Sequence, residues 1–179
     1  VSSWCFPDNT VLCNFASVNR LDLLEAILDG RGRWAEAVAH EARASAAVAL
    51  PGLASVFEKG WLGEPLEIGQ EEAAAVERVR RSGFFGQAQR PTQHLGEAQT
   101  LHIVRTWLGY GDSVWISDDR AACDFARHHG ITTWRTMDVM AQGCARGDVV
   151  HVEAFALLQA MQSCGRSLEM PSSAQALLS

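Results

Sequence analysis

Four acidic residues stand where their sequence neighbours predict convergence on a common cleft: Asp8, Glu41, Glu97 and Asp119. Asp8 and Asp119 each follow a short apolar run, at a point where a strand can end and a helix can begin. Glu41 lies on the inward face of a predicted helix, and Glu97 heads an otherwise apolar helical stripe. In a parallel α/β sheet, strand ends and the adjoining helix faces can meet in one cleft. These carboxylates are therefore candidates for a shared site.

The chemistry open to such a cluster depends on a cation, because several carboxylates cannot all ionise at short range without one. Hard divalent ions such as Mg²⁺ or Mn²⁺ bind carboxylate oxygens and keep water in their remaining positions. A pair of such ions can hold a phosphodiester for in-line attack by water. The acid set therefore predicts metal-assisted hydrolysis of phosphodiester bonds without a histidine base.

The elements that must position these acids are centred on residues 111–133. The apolar run 114–116 contains tryptophan and β-branched residues, which predicts a buried strand. Residues 117–119, Ser-Asp-Asp, fall where this strand ends, and residues 120–130 have the spacing and the glycine stop of a helix. Another strand follows. Because strand, helix and strand in succession form a βαβ unit, Asp119 is placed at the carboxyl end of a parallel strand.

The other three acids lie on elements that the sequence also predicts. Residues 4–6 predict an early strand that ends at Pro7 and Asp8, followed by a helical pattern that continues past Asn19. Asp8 on its own could be only the cap of that helix, because Asp accepts hydrogen bonds from the first amides of a helix. Helices are predicted over 34–49 and 94–110, with the inward faces Trp34, Val38, Glu41, Ser45, Val48 and Glu97, Leu101, Val104, Leu108.

Residues 50–86, which follow the helix predicted over 34–49, contain an arginine-rich segment that allows two interpretations. Residues 50–70 predict a short helix, a loop and a short strand around 66–68. The charged helix 71–82 ends in Arg78, Arg80 and Arg81 and runs into the loop 83–86, Gly-Phe-Phe-Gly. Arginines beside exposed aromatic rings can hold single-stranded nucleic acid by charge and stacking. The alternative is a solvated helix followed by a loop whose phenylalanines belong to the core.

Composition bounds the class of protein. The 179-residue chain, 47% hydrophobic and 20% charged, resembles one globular domain. It has no apolar run long enough to cross a bilayer and no signal-peptide pattern, so we expect a cytoplasmic location and no membrane partner. Five widely spaced cysteines argue against a disulfide framework or a zinc knuckle. The net charge of −6 disfavours nucleic-acid binding by overall attraction but leaves room for a local site.

The order and spacing of four segments resemble those of the PIN-domain ribonucleases, the toxin half of many bacterial toxin–antitoxin pairs. The matching segments are residues 8–12 (DNTVL), 39–42 (AHEA), 95–99 (LGEAQ) and 114–120 (VWISDDR), the last followed by a helix that ends at Gly130. The resemblance covers roughly residues 3–147. It implies a three-layer α/β/α fold with a central, mostly parallel sheet. Residues 50–65 and the chain beyond Asp148 depart from compact family members, which leaves the substrate and partner open.

The resemblance also implies roles for individual residues. It makes Asp8, Glu41, Glu97 and Asp119 the catalytic and metal-binding acids, with Mg²⁺ or Mn²⁺ as the cofactor. Asp119 is preferred because the family pattern is Ser or Thr, any residue, Asp; Asp118 is the alternative, although on a strand it would point to the opposite face. The remaining candidates are the polar supports Thr10 and Ser117 and the RNA phosphate contacts Arg43, Arg78, Arg81 and Arg120.

The function that the resemblance implies is a metal-dependent endoribonuclease acting as the toxin of a toxin–antitoxin pair. Its expected partners are RNA, a protein antitoxin and a second copy of the chain. Residues 1–148 would form the nuclease domain, and residues 149–179 a C-terminal helix and tail packed on the same domain. The rival hypothesis is a non-catalytic PIN-like protein that binds partners or acts as a scaffold.

Overall fold

Three short parallel strands form the centre of the computed structural model, which describes residues 3–178. The strands β1 (Cys5–Pro7), β2 (Val114–Ile116) and β3 (Thr132–Trp134) are hydrogen-bonded in that order. Phe6 lies opposite Trp115, which in turn lies opposite Thr133. All residues of β1 and β2 are buried, as expected for apolar strands covered on both faces. Asp8 and Ser117 follow these two strands directly, so both lie at the carboxyl edge of the sheet.

Helices flank the sheet and complete a three-layer α/β/α fold, which confirms the predicted fold class. Within residues 3–178 the nine α-helices are α1 (Asn9–Ser17), α2 (Leu21–Leu28), α3 (Glu36–Val48), α4 (Ala54–Lys59), α5 (Ala73–Ser82), α6 (Leu95–Thr106), α7 (Arg120–His128), α8 (Thr136–Arg146) and α9 (His151–Ser163). Two 3-10 turns, Pro51–Leu53 and Ala174–Leu178, accompany them. None of the helices in this range combines the length and the apolar character needed to cross a membrane.

The core is built on the sheet and on the inward face of α1. Trp115 of β2 and Phe6 of β1 are each 1% exposed. Val11, Leu12 and Phe15 of α1 are completely buried in the same core, and burying each such side chain contributes about 1.5–3 kcal/mol. This packing fixes the start of α1, and therefore Asp8, against the end of β2.

Two secondary-structure predictions are wrong. The helical pattern predicted to continue past Asn19 is broken there, because Asn19 has a left-handed φ of +54° and the chain restarts as α2. The strand predicted around residues 66–68 is a single parallel bridge between Ala35 and Leu66. The Leu66 amide donates to the Trp34 carbonyl, and the Leu66 carbonyl accepts from the Glu36 amide. The pairing does not continue along the chain, so no strand forms.

Two residues placed on inward helix faces are instead exposed. Leu108 is 100% exposed because α6 ends at Thr106, so the helical spacing no longer applies to it. Val48 is 86% exposed at the last residue of α3, beyond the part of that helix that packs on its neighbours. The C-terminal segment packs through α9 against α1 and α8, and Leu177 is buried.

Candidate functional site

Asp8 is the acid most firmly held by the fold. It caps the N-terminus of α1, and the residue is 7% exposed. The amide of Asn9 (2.8 Å) and the hydroxyls of Thr10 (2.8 Å) and Ser117 (3.3 Å) all donate to it. Burial, followed by the negative charge of Glu97, raises the pKa of Asp8 to about 6, although these three hydrogen bonds oppose the rise.

Glu41 lies on α3, close enough to Asp8 and Glu97 to feel their negative charges, and no hydrogen bond or cationic side chain among residues 3–178 offsets that repulsion. In the part of the chain that the structure describes, its carboxylate has no hydrogen-bonding or ion-pairing partner. Burial and the charges of Asp8 and Glu97 raise the pKa of Glu41 to about 8. A carboxyl group of this kind is protonated near neutral pH unless a cation approaches it.

Glu97 is brought to the other two acids by a close crossing of α3 and α6. A Cβ added at Gly96 would lie 3.0 Å from Val38 Cγ2 and 3.2 Å from Glu41 Oε1, so any side chain there would have to displace these two neighbours by a few tenths of an ångström. Gln99 fixes the crossing, because its Oε1 accepts from the Ala37 amide at 2.9 Å and caps α3. His94 Nδ1 lies 2.9 Å from Glu97 Oε1 and orients that carboxylate.

Asp119 joins this group through Ser117 rather than directly. It is exposed and caps α7, accepting a hydrogen bond of 2.9 Å from the Ala122 amide. Its own amide donates to the Ser117 hydroxyl at 3.2 Å, and that hydroxyl in turn donates to Asp8. The structure therefore places Asp8, Glu41 and Glu97 within electrostatic range of one another and Asp119 at the edge of the group.

Asp118, the alternative fourth acid, is engaged elsewhere. Its carboxylate accepts hydrogen bonds from Asn14 Nδ2 (2.7 Å) and from the amide (3.0 Å) and hydroxyl (2.5 Å) of Thr136. Burial raises its pKa, whereas these hydrogen bonds lower it. Asp118 thus ties the end of β2 to α1 and to the first turn of α8.

Two cavities open beside the acids. The first, about 470 Å³, is lined by Glu41, Arg43, Thr92, Leu95 and Gln99 among others. The second, about 290 Å³, is lined by Ser82, Gly83, Phe84, Phe85, His94, Asp119, Ala121, Ala122 and Phe125. Glu41 and Asp119 therefore face different cavities, with Asp8 and Ser117 connecting the two acids.

The four arginines predicted to contact RNA are scattered around these cavities. Arg43 lines the first cavity, with its guanidinium carbon 4.6 Å from the centre of the Phe57 ring. Arg78 and Arg81 are exposed on α5, and Arg81 is 3.9 Å from Glu77. Arg120, also exposed, lies 3.8 Å from Glu169. None of these contacts removes the arginine side chain from solvent.

A divalent cation requires several ligand atoms that converge on one point. Within residues 3–178, no three Asp, Glu, His or Cys side chains converge closely enough to form a ready ligand set. The chemistry of Asp8, Glu41 and Glu97 nevertheless fits a hard cation, since all three are carboxylates and the pKa values of the first two are raised by burial and like charge. The chemical type of these ligands therefore suits Mg²⁺ or Mn²⁺.

Sequence reasoning missed three residues that shape this site: His94, Gly96 and Gln99. A glycine inside a helix costs about 1 kcal/mol relative to alanine, so Gly96 could have signalled a close helix crossing. His94 precedes Glu97 by three residues, a spacing at which helical side chains meet. Gln99 gives no such signal, because its partner on α3 is distant in sequence.

Comparison with known proteins identifies the fold family. A family model described as the PIN domain matches residues 6–177, and so continues through α9 beyond the limit of the sequence resemblance. No curated protein and no solved structure matches the chain. The model covers nearly the whole chain, including all four acids and both cavities. The chain therefore belongs to the PIN-domain family.

Proposed function

We propose that this protein is an endoribonuclease that hydrolyses RNA phosphodiester bonds with Mg²⁺ or Mn²⁺, and that it is the toxin of a toxin–antitoxin pair. PIN domains are generally nucleases, so membership of the family supports the nuclease class. The metal, the RNA substrate and the toxin role are our proposal.

The observation that carries the proposal is the electrostatic coupling of three carboxylates from distant parts of the chain. Asp8 follows β1, Glu41 lies on α3 and Glu97 on α6. The charge of Glu97 nevertheless raises the pKa of Asp8, and the charges of Asp8 and Glu97 raise the pKa of Glu41. Repulsion of this kind costs stability. The chain supplies Glu41 with no cation of its own among residues 3–178, so an external cation is the simplest compensation.

In this proposal Asp8, Glu41 and Glu97 hold the metal, and Asp119 is the fourth acid because Ser117 links it to Asp8. Bound Mg²⁺ or Mn²⁺ would supply an activated water and neutralise charge on the phosphate. Thr10 and Ser117 hold the Asp8 carboxylate in place by hydrogen bonds.

Residues around the acids would position the RNA. His94 orients Glu97 by its hydrogen bond. Arg43, beside Glu41 in the first cavity, is the candidate best placed to contact a phosphate there. The cavity would thus bring one of the three acids, Glu41, and the positive charge of Arg43 to the same phosphate.

The toxin role implies a protein antitoxin that acts in the same compartment, which we propose to be the cytoplasm. An arginine inserted among the carboxylates would replace the cation's charge and form bidentate hydrogen bonds. A homodimer is the assembly we propose for the free toxin. The protein expressed alone should slow growth, and Asp8→Ala should relieve that effect.

The second candidate function is a PIN-like domain that binds a partner without catalysis. It is favoured by the lack of a ready ligand set among residues 3–178 and by the net charge of −6. In that case the acids would bind a basic segment of another protein. The two functions differ in whether RNA is cut.

Cleavage of single-stranded RNA by the purified protein distinguishes them. We expect cleavage with Mg²⁺ or Mn²⁺ that stops with EDTA and is lost in Asp8→Asn. Asp112→Asn is the matched control, since Asp112 is an exposed acid in the loop before β2, at the opposite edge of the sheet. Full-rate cleavage in EDTA, or equal rates for the parent and Asp8→Asn, would refute the nuclease proposal.

A further inference from the structure

The loop after α5 presents an aromatic ring to solvent in a strained conformation. Phe85 is 83% exposed and has a left-handed φ of +57°. Its neighbour Phe84 is buried, with edge contacts to Trp115 and Phe125 and a stacked contact to His94. A bulky residue seldom adopts left-handed backbone, and such strain collects at functional sites when the surroundings enforce it. The surroundings enforce it here.

Both glycines of the loop are required by close packing. A Cβ at Gly83 would lie 2.4 Å from the Phe125 ring and 2.9 Å from the Val79 carbonyl. A Cβ at Gly86 would lie 2.5 Å from Arg80 Nη1. The buried Arg80 guanidinium also donates to the carbonyls of Gln87, Arg90 and Gln93, so the chain that follows the loop is fixed as well. Phe85 is therefore held outward by a rigid frame.

The Phe85 ring lies at the second cavity, which is lined mainly by aromatic and small side chains. Phe84, Phe125 and His94 supply ring surfaces, and Ala121 and Ala122 leave space between them. Its volume of about 290 Å³ lies at the small end of the ~300–1,000 Å³ typical of ligand pockets. Such a space suits one planar ring system. Asp119, the proposed fourth acid, lines the same cavity.

We propose that Phe85 and this cavity form a subsite that stacks one unpaired nucleobase of the RNA next to the cleavage centre. The inference rests on the proposed function and adds a substrate feature to it. Stacking on an aromatic face needs an unstacked base, so the subsite selects single-stranded RNA over duplex RNA. Arg81, exposed and adjacent to the cavity residue Ser82, provides positive charge for the RNA backbone.

Equilibrium binding of a short, labelled single-stranded RNA tests the subsite. All proteins carry Asp8→Asn so that the RNA stays intact. Phe85→Ala should weaken binding about 5- to 150-fold, the factor that corresponds to ~1–3 kcal/mol of stacking per base. Phe85→Trp should restore the affinity. Leu108→Ala is the matched control, because Leu108 is a fully exposed apolar residue in the loop before β2 and should not change binding.

RNAs with an abasic site at each position in turn provide the second measurement. One abasic position should weaken binding to the Phe85 protein but cause no further loss in Phe85→Ala. Unchanged affinity in Phe85→Ala, or an abasic effect that adds fully to it, would overturn the subsite. So would a result in which Phe85→Ala leaves RNA affinity intact but abolishes binding of a co-expressed antitoxin, which would assign the surface to a protein.

Failure of the subsite and failure of the nuclease proposal give different results. RNA cleavage that depends on Asp8 but not on Phe85, together with unchanged affinity in Phe85→Ala, removes the subsite alone. Cleavage that is independent of Asp8 removes the nuclease assignment, and the binding comparison still decides the role of Phe85. Because Phe85 is exposed, both of its variants should melt close to the parent.

Discussion

Arg80 and Glu41 are both ionisable side chains with limited access to water, but they differ in the groups that surround them. Arg80 is 1% exposed, and its guanidinium binds Glu77 through two hydrogen bonds and donates to three backbone carbonyls. Glu41 faces two other acids and has no partner among residues 3–178. A buried charge with every donor used is part of the fold, whereas one left unpaired is a candidate for ligand binding.

The largest expected effect on stability comes from removing the fully hydrogen-bonded guanidinium of Arg80. Arg80→Met should lower the free energy of unfolding by about 2–3 kcal/mol, because the carbonyls of Gln87, Arg90 and Gln93 lose their donor. For a chain of this length that is a fall in Tm on the order of 10 °C. Thermal unfolding followed by circular dichroism measures it. Arg78→Met is the control, and an equal loss in both variants would mean that Arg80 is not a structural centre.

Removal of the unpaired carboxyl of Glu41 should instead raise the free energy of unfolding. Glu41→Gln removes an ionisable group without removing a hydrogen bond. At pH 7 ionisation of Glu41 favours the unfolded chain, so the substitution should stabilise the metal-free protein, on the order of 2 kcal/mol. The same substitution should have little effect at pH 4, where the carboxyl is protonated in the folded chain and mostly protonated in the unfolded chain. Lower stability of Glu41→Gln at pH 7 would show that Glu41 has a structural partner.

The raised pKa values also fix how stability depends on pH. The folded chain holds protons on Asp8 up to about pH 6 and on Glu41 up to about pH 8, whereas the unfolded chain loses them near pH 4. The native state binds more protons in this interval, so the free energy of unfolding should fall as pH rises from about 4 to 8. Urea unfolding in EDTA across this range measures the slope. A rise would contradict the proposed acid cluster.

The smallest effects separate two adjacent acids. Asp118→Asn places an amide donor against Asn14 or Thr136 and should cost about 1 kcal/mol. Asp119→Asn keeps an equally good helix cap and should stay within about 0.5 kcal/mol of the parent in unfolding measurements. RNA cleavage should show the reverse order, with the larger loss in Asp119→Asn. The opposite order in cleavage would make Asp118 the fourth acid.

The sequence predicted the parts of the fold whose periodicity is local. Residues 114–116 form a strand as predicted, because a short apolar run bounded by turn residues indicates one. The charges of Asp8 and Glu97 reach Glu41, whereas the convergence of all four acids on one metal site stays a prediction. The break at Asn19 was missed, because the apolar pattern of α1 continues into α2 without a glycine or proline. Such a break depends on a single left-handed residue that spacing does not reveal.

Hydrogen-bond partners far apart in sequence could not be predicted. Arg80 looks like Arg78 and Arg81 in the sequence, and only the path of the following loop buries it. The engagement of Asp118 depends on Thr136 at the start of α8 and on Asn14 in α1. In both cases tertiary packing decides which of several similar residues is buried and hydrogen-bonded within the fold.

Calorimetric titration of the metal-free protein with Mn²⁺ at pH 7, in two buffers of different ionisation enthalpy, tests the central claim most directly. The claim is that Glu41 is unpaired because it binds a cation, and a carboxyl with a pKa of about 8 must release its proton when it does so. We predict saturable binding with a buffer-dependent heat that reports proton release. Glu41→Gln should bind more weakly and release fewer protons. Absence of saturable binding, or identical heats and affinities for the two proteins, would contradict the account.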